Sequence, residues 1–478
     1  EPAEAAGAAG AARAAPLGAR DPDEELKALA RRIFERGCAA VDPKVAVRRA
    51  CQLRGAELHV AGRTFRLEDF DRVLVLGAGK ASVGMAEAVE EALGDRVGRG
   101  VVVTKYGHAA GHALGPKFEV LEADHPMPDE RGVAATAALL EAAAGTGPAD
   151  LVLCLVSGGA SALLCAPAAG ITLAEKMEVT RQLLACGCPI EAKNAVLKHL
   201  SRIKGGQLLR AASPATVVTL VISDVVGDPL DAIGSGPTVP DPSSFRECLD
   251  ILEAYGLHRT APAACLEHLR RGARGQVPET PKADDPIFAG AVTAVVAGNA
   301  TAAEAAAEEA RSLGFDAMVL STFMEGEASE GAKTWSALAR EELAFGRPSA
   351  LPACIVGGGE TTVTLPREPG VGGRSQLLAL AAALRLRGLR GVALLAGGTD
   401  GGDGPGHDAA GAVVSGGDVA AAQQAGLNAE EFLSRCDAYT FFQKLEEAKY
   451  GRPNVMHLRD GPTGTNVADL VVLLVRPA

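Results

Sequence analysis

Asp71-Arg-Val-Leu-Val-Leu-Gly-Ala-Gly-Lys80 is an apolar run that ends in a glycine turn and a lysine, with a helical stretch opening at Ala81. The design recurs. Asp150-Leu-Val-Leu-Cys-Leu-Val156 runs into Ser157-Gly-Gly-Ala-Ser161, and Thr216-Val-Val-Thr-Leu-Val-Ile222 runs into Ser-Asp-Val-Val-Gly-Asp228. Gly100-Val-Val-Val-Thr104 is a further strand of this type. Strands that are apolar without alternation are buried on both faces, so helices between them imply a parallel sheet covered on both sides. Ligands on such sheets bind outside the carboxyl ends of the strands, where all these loops lie.

A second alternation follows the polar, proline-containing stretch Val277–Pro286. Ala291–Ala297 leads to Gly298-Asn-Ala-Thr301, Asp316–Ser321 to Glu325-Gly-Glu327, Pro352–Val356 to the Gly357 turn, and Gly391–Ala396 to the turn at Thr399-Asp400. Asp469–Val475 follows Gly461-Pro-Thr-Gly-Thr-Asn466. Two α/β units in tandem are expected, over 23–285 and 286–478, and a length of 478 residues suits two or three domains. Leu26, Leu29, Ile33 and Phe34 share one face of a helix predicted over Pro22–Ala40. Residues 1–22, mostly Ala, Gly and Pro, read as a disordered tail.

The net charge of −12 argues against nonspecific nucleic-acid binding. No apolar run reaches the roughly 20 residues that span a bilayer. The ten cysteines are scattered, and the one close pair, Cys186-Gly-Cys188, lacks the spacing of zinc or redox sites. Buried thiols in a reducing compartment are expected. The location expected is cytoplasmic, or mitochondrial should the tail be the remnant of a transit peptide.

The chemistry concentrates in glycine turns. Gly77, Gly79 and Lys80 close a strand and open a helix, which sets backbone N–H groups and a point charge toward an anion. The turn is not a Walker A motif, and Ser82 stands where a dinucleotide fingerprint has its third glycine. Ser157, Gly158, Gly159 and Ser161 offer hydroxyls and N–H groups to a carboxylate or phosphate, or merely cap a helix. Lys198 and Arg202 suit a helix C-terminus, whereas Lys204, beside Gly205 and Gly206, can reach a ligand. Asp224 and Asp228 directly follow a strand, where a carboxylate can hold magnesium or take a hydroxyl proton. Glu360, Arg374, Asp400 and Asp403 are charges set among glycines, including Gly358 and Gly359, and such charges seldom stand without a partner. Arginine reads phosphate as a fork, and carboxylates beside phosphates imply magnesium. His407, a single loop histidine, reads as structural or solvated rather than as a base. The combination points to a phosphorylated ligand and to phosphoryl transfer.

The order of Gly77-Ala-Gly-Lys80, Lys105-Tyr-Gly-His108, His125-Pro126, Lys198–Gly206, Ser235-Gly-Pro-Thr238, Gly358-Gly-Glu-Thr-Thr362, Gly372-Gly-Arg374, Gly398–Pro405 and Gly461–Asn466 resembles the class II glycerate kinases, whose C-terminal half is the MOFRL domain. The resemblance runs from about Pro22 to the C-terminus. It implies two α/β/α sandwich domains with mainly parallel sheets around an interdomain cleft, and ATP- and Mg2+-dependent phosphorylation of D-glycerate to 2-phosphoglycerate. It also matches Lys80 and Arg374 to residues acting on the transferring phosphate. The expected roles are then Lys80, Arg374 and Asp224 in catalysis, and Ser157, Gly158, Gly159, Ser161 and Lys204 on glycerate. Gly77, Gly79, Gly358, Gly359, Glu360, Thr399 and Asn466 are expected on the nucleotide, and Asp400 and Asp403 on the metal. No nucleic-acid or membrane partner is expected, and a homodimer is left open. The chain departs from the family pattern at Ala160, at Ser375-Gln376-Leu377, and in a turn one residue longer before Asp408. Two rivals stand beside the kinase: a nicotinamide-dependent hydroxypyruvate reductase, and a non-catalytic sensor of nucleotides or sugar phosphates.

Overall fold

The computed structural model describes residues 21–477, so the expected tail lies outside the described residues except for Asp21 and Pro22. Those two open the first helix, Pro22–Ala40, where the Asp21 carboxylate accepts the Asp23 N–H at 3.1 Å. A small antiparallel sheet follows, of β1 (Cys51–Arg54), β2 (Glu57–Val60) and β3 (Arg63–Arg66).

The first large sheet contains β4 (Arg72–Ala78), β5 (Val97–Lys105), β6 (Phe118–Ala123), β7 (Asp150–Val156), β8 (Thr216–Ile222) and β9 (Val292–Ala297), in the order β6-β5-β4-β7-β8-β9. Every pair is parallel. The apolar runs bury both faces, as their lack of alternation requires. Leu74, Leu76 and Val152 pack with Leu139 on one side, and Val75, Leu153 and Leu220 face the other.

The second sheet contains β10 (Asp316–Met324), β11 (Ala353–Gly359), β12 (Val392–Gly398), β13 (Gly411–Ser415) and β14 (Asp469–Val475), in the order β10-β11-β14-β12-β13. It is mixed: β10 and β11 pair in parallel, but β14 runs antiparallel between β11 and β12, and β13 is antiparallel to β12. The chain thus has the α/β architecture expected, with the parallel pattern complete only in the first sheet. Ile355, Leu394 and Leu473 pack with Trp335, Leu378 and Phe441 on the outer face.

Two elements cross the boundary drawn between 285 and 286. β9 completes the first sheet, pairing Val218 with Val292 and Leu220 with Ala294. The first helix instead covers the second sheet, packing on β12, β14 and the helix Asn299–Ser312. Gly37 permits the close approach: a Cβ there would stand 2.9 Å from the Ala302 carbonyl oxygen. Lys27 Nζ reaches Asp418 at 2.8 Å, and Arg476 bonds the Pro22 carbonyl at 2.8 Å. The physical reason is that an apolar run or amphipathic face specifies burial, not which sheet buries it. One apolar cluster consequently joins the units, with Phe34, Val75, Leu153, Ala306, Val356, Leu395 and Val472 among its members.

The cysteines form no disulfides, and most are buried. Among the described residues no helix is long and apolar enough to cross a membrane.

Candidate active site

The register of the first sheet sets Ala78 opposite Val156 and Val156 opposite Val221, so the turns after β4, β7 and β8 emerge side by side. The first two are stitched together. Lys80 N–H donates to the Gly158 carbonyl at 2.9 Å, Ser157 N–H to the Ala78 carbonyl at 3.0 Å, and Ala81 N–H to Ser157 Oγ at 3.1 Å. Ser157 therefore locks the Gly77 turn and does not cap a helix. Gly79 has φ 130°, and a Cβ there would collide with Ser157; one at Gly158 would collide with the Asp224 carboxylate. A Cβ on Gly159 would stand 3.1 Å from the His125 ring and 3.4 Å from Lys80 Cγ, which places both side chains over this turn.

Among the described residues Lys80 Nζ makes neither a hydrogen bond nor an ion pair. Burial pushes Asp224 up to about 6, opposed by Lys80 and reinforced by Glu360 and Asp400 of the second unit. Asn466 Nδ2 donates to Asp224 Oδ2 at 3.2 Å across the cleft. Burial, with Lys80 and Lys105 beside it, brings His125 down to about 4, so its ring is neutral at pH 7. Ser161 and Lys204 also come together: Lys204 Nζ lies 2.6 Å from both Ser161 oxygens and 3.2 Å from Ser235 Oγ. With only neutral partners, burial drives the Lys204 ammonium well below the ordinary lysine range.

In the second unit Arg374 opens the helix Arg374–Leu386. Its Nε and Nη2 donate to the two Asp469 oxygens at 2.5 and 3.0 Å, and Nη1 reaches Glu360 at 2.7 Å. Antiparallel β14 explains the meeting. Asp469 starts that strand opposite Gly359 and Gly398, which end β11 and β12. Burial raises Asp469 to about 6, and Arg374 opposes the rise.

As Ser157 does, two more expected ligand residues spend their side-chain polar atoms inside the fold. Asp403 was expected on the metal, but its Oδ1 accepts Ser375 N–H at 2.9 Å and its Oδ2 accepts Gln376 N–H at 2.8 Å and Nε2–H at 3.0 Å. It satisfies the N-terminus of a helix whose own N-cap, Gly373, has no side chain to do so. Thr399 was expected on the nucleotide, but its buried hydroxyl donates to the Ala468 carbonyl at 2.6 Å and accepts Val467 N–H at 2.9 Å. Asp400 stays in the cleft, its carboxylate accepting only the Gly402 N–H, at 2.9 Å, among the described residues. His407 stacks on Tyr439 with ring centroids 4.8 Å apart.

A cavity of 570 Å³ is lined by Lys80, Lys105 and His108 from the first unit and Asp400 and Thr463 from the second. Its neighbour, of 620 Å³, is lined by Glu360, Arg374 and Asp400. Asp400 stands where they join. Three cations and several carboxylates around one cleft suit a polyphosphate with a divalent ion. Among the described residues no group of three His, Cys, Asp or Glu side chains is placed to hold a metal. Mg2+ bound with a nucleotide needs only one or two carboxylates beside the phosphates and water, which Asp400 and Glu360 can supply.

Asp469, Lys105 and His125 were not assigned roles from sequence. Asp469 carried a legible signal, a charge at the head of the apolar run Leu470–Val475, but the antiparallel pairing that makes it a partner of Arg374 did not.

The family described as a domain of unknown function, DUF4147, matches residues 29–270, and the MOFRL family matches residues 353–469. D-glycerate 2-kinase of Thermotoga maritima is 38% identical over 95% of this chain and 99% of its own. A protein of Agrobacterium vitis with only the provisional name of hydroxypyruvate reductase is 40% identical over 95% of each chain. The crystal structure of glycerate kinase from Thermotoga maritima superposes with a TM-score of 0.82 at 36% identity, over 95% of this chain and 100% of that one.

Proposed function

The chain belongs to the glycerate kinase family that combines DUF4147 and MOFRL regions, and from that premise we propose that it transfers the γ-phosphoryl group of ATP to the 2-hydroxyl of D-glycerate. The observation that carries the reading is the Asn466–Asp224 hydrogen bond at 3.2 Å. It couples the loop beside Lys80 to the loop that leads to Asp469 and hence to Arg374.

Glycerate lies in the first unit, its carboxylate at the Gly158–Ser161 turn with Lys204 behind it. Asp224, ionised at pH 7, takes the hydroxyl proton as the oxygen attacks the γ-phosphorus. The bond from that phosphorus to the β-bridging oxygen breaks, ADP leaves, and the proton passes from Asp224 to water. Lys80 and Arg374 neutralise the transferring oxygens, which is most of what phosphoryl transfer asks of a protein. Gly358, Gly359 and Glu360 flank the phosphates. A magnesium ion held by Asp400 and Glu360 would supply further neutralisation of phosphate charge.

The reductase rival is disfavoured by Gly79, since Ser157 occupies the space over that glycine which a dinucleotide pyrophosphate would approach. The test is a coupled assay with Mg2+, ATP and D-glycerate, resolving 2- from 3-phosphoglycerate. ADP formed in step with 2-phosphoglycerate is expected. Oxidation of NADH or NADPH by hydroxypyruvate without ADP formation would overturn the proposal.

A further inference from the structure

Behind the Gly358-Gly359 turn lies a cavity of 290 Å³ that none of the roles above uses. Its walls are mainly apolar, with Met324 at the end of β10, Trp335 on the helix Ala328–Phe345 and Leu378 on the helix Arg374–Leu386, and Glu325 and Thr334 also line it. Gly357 lets the indole lie close to the strand, since a Cβ there would stand 2.7 Å from the ring. Within this apolar lining Ser375 Oγ is buried, 2% exposed at the residue, and has no hydrogen-bond partner. Its backbone N–H is held by Asp403 Oδ1 at 2.9 Å, which keeps the residue beside the cavity. An unpaired buried hydroxyl is costly and signals an absent partner.

We propose that this cavity receives the purine ring of the nucleotide, a reading that rests on the kinase assignment above. Three features specify a flat heteroaromatic ring. The faces are apolar and include an aromatic side chain for stacking. The rim offers hydroxyls from Ser375 and Thr361 to a hydrogen-bonding edge. The volume is near the lower end of ligand pockets, roughly 300–1,000 Å³, which suits one ring system rather than a whole nucleotide. Glycerate, with a polar group on every carbon, gains nothing from such walls. Asp469 lines the cavity and also grips Arg374, so phosphates trailing from a seated base emerge at Glu360 and Arg374.

Gly331 supplies the test. It lies on the helix Ala328–Phe345 at the cavity wall, and the nearest atom to a Cβ built there is Leu378 Cδ1 at 3.9 Å. The backbone at Gly331 therefore has room for a Cβ, and Gly331→Leu directs a bulky side chain at the cavity wall while replacing a poor helix former with a good one. The KM for ATP is expected to rise about tenfold or more, with the KM for glycerate unchanged. Trp335 is the only tryptophan of the chain, so its emission reports on the cavity. In the unsubstituted protein adenosine and ADP are expected to change that emission and inorganic tripolyphosphate to leave it unchanged, and Gly331→Leu should abolish the adenosine response. An unaltered KM for ATP in folded Gly331→Leu, or emission that answers tripolyphosphate but not adenosine, would overturn the base pocket while the kinase reading stands. Absence of glycerate-dependent ADP formation in the unsubstituted protein overturns the kinase reading instead, and the emission titrations then judge the cavity alone.

Discussion

Replacing Asp224 by Asn should cost activity and raise stability together. The carboxyl sits against the Gly158 backbone with Asn466 as its one hydrogen-bond partner among the described residues. With a pKa of about 6 against an ordinary 3.8, it is roughly nine-tenths ionised at pH 7 and able to accept a proton. Removing a positioned base lowers turnover by about 10²–10⁴, or ~3–5 kcal/mol of barrier. The stability effect has the opposite sign. Folding raises this pKa, so the native state holds a proton that the unfolded chain releases as pH climbs from about 4 to 6; the resulting penalty is absent below 3.8 and complete above 6. A rise from 3.8 to about 6 corresponds to about 3 kcal/mol, reduced to ~1–2 kcal/mol by solvent screening at a residue that is only partly buried. The amide removes this penalty and can still accept from Asn466. Calorimetry at pH 7 and pH 4.5, beside the coupled assay, gives both quantities. Turnover within tenfold of the unsubstituted protein would refute Asp224 as base. A rise in Tm of equal size at both pH values would refute the electrostatic account.

The acid limb of kcat/KM should fall near pH 6, and a limb near pH 4 would instead assign the titrating group to His125, which burial and two lysines hold near that value. Lys80→Met should lower turnover about 10³-fold or more with little change in Tm, because Lys80 Nζ has no partner to lose among the described residues; normal turnover would remove it from the mechanism. Asp469→Asn removes one of the two bonds to Arg374 and the charge from the other, at least about 1.5–3 kcal/mol, and kcat should fall ~10–100-fold; an unchanged kcat would show that Glu360 alone positions the guanidinium. Asp400→Asn should raise the Mg2+ concentration for half-maximal rate, whereas Asp403→Asn should lower Tm and leave that concentration unaltered, and the reverse pattern would return Asp403 to the metal.

Much of the site was readable because each element announced itself locally. A glycine turn after a buried strand is visible in ten residues, and such turns bring Lys80 beside Gly158 and Asp224, and Arg374 beside Glu360. What stayed hidden depended on pairing between distant segments. Asp469 meets Arg374 only because β14 runs antiparallel between β11 and β12. Asp403 resembles a metal ligand in sequence, yet its carboxylate is taken by a helix that begins some 30 residues earlier. Thr399 is similarly spent on Ala468 and Val467. The cavity at Trp335 gathers side chains from β10, two helices and β14, and no window of sequence contains them together.

Of the described elements the first helix is made earliest, and its covering, begun by the helix Asn299–Ser312, is completed only by the last strand. Leu26, Ile33 and Phe34 leave the ribosome early, but the strands that cover them, β12 and β14, come after residue 390. At roughly 5–20 residues per second, the apolar face waits on the order of tens of seconds for its partners. During that interval it is an adhesive surface on a nascent chain, and chaperone occupancy should be concentrated there. The same ordering means that a chain shortened before β14 keeps an uncovered helix at its opposite end, so a lesion near the C-terminus would register as aggregation through residues 22–40.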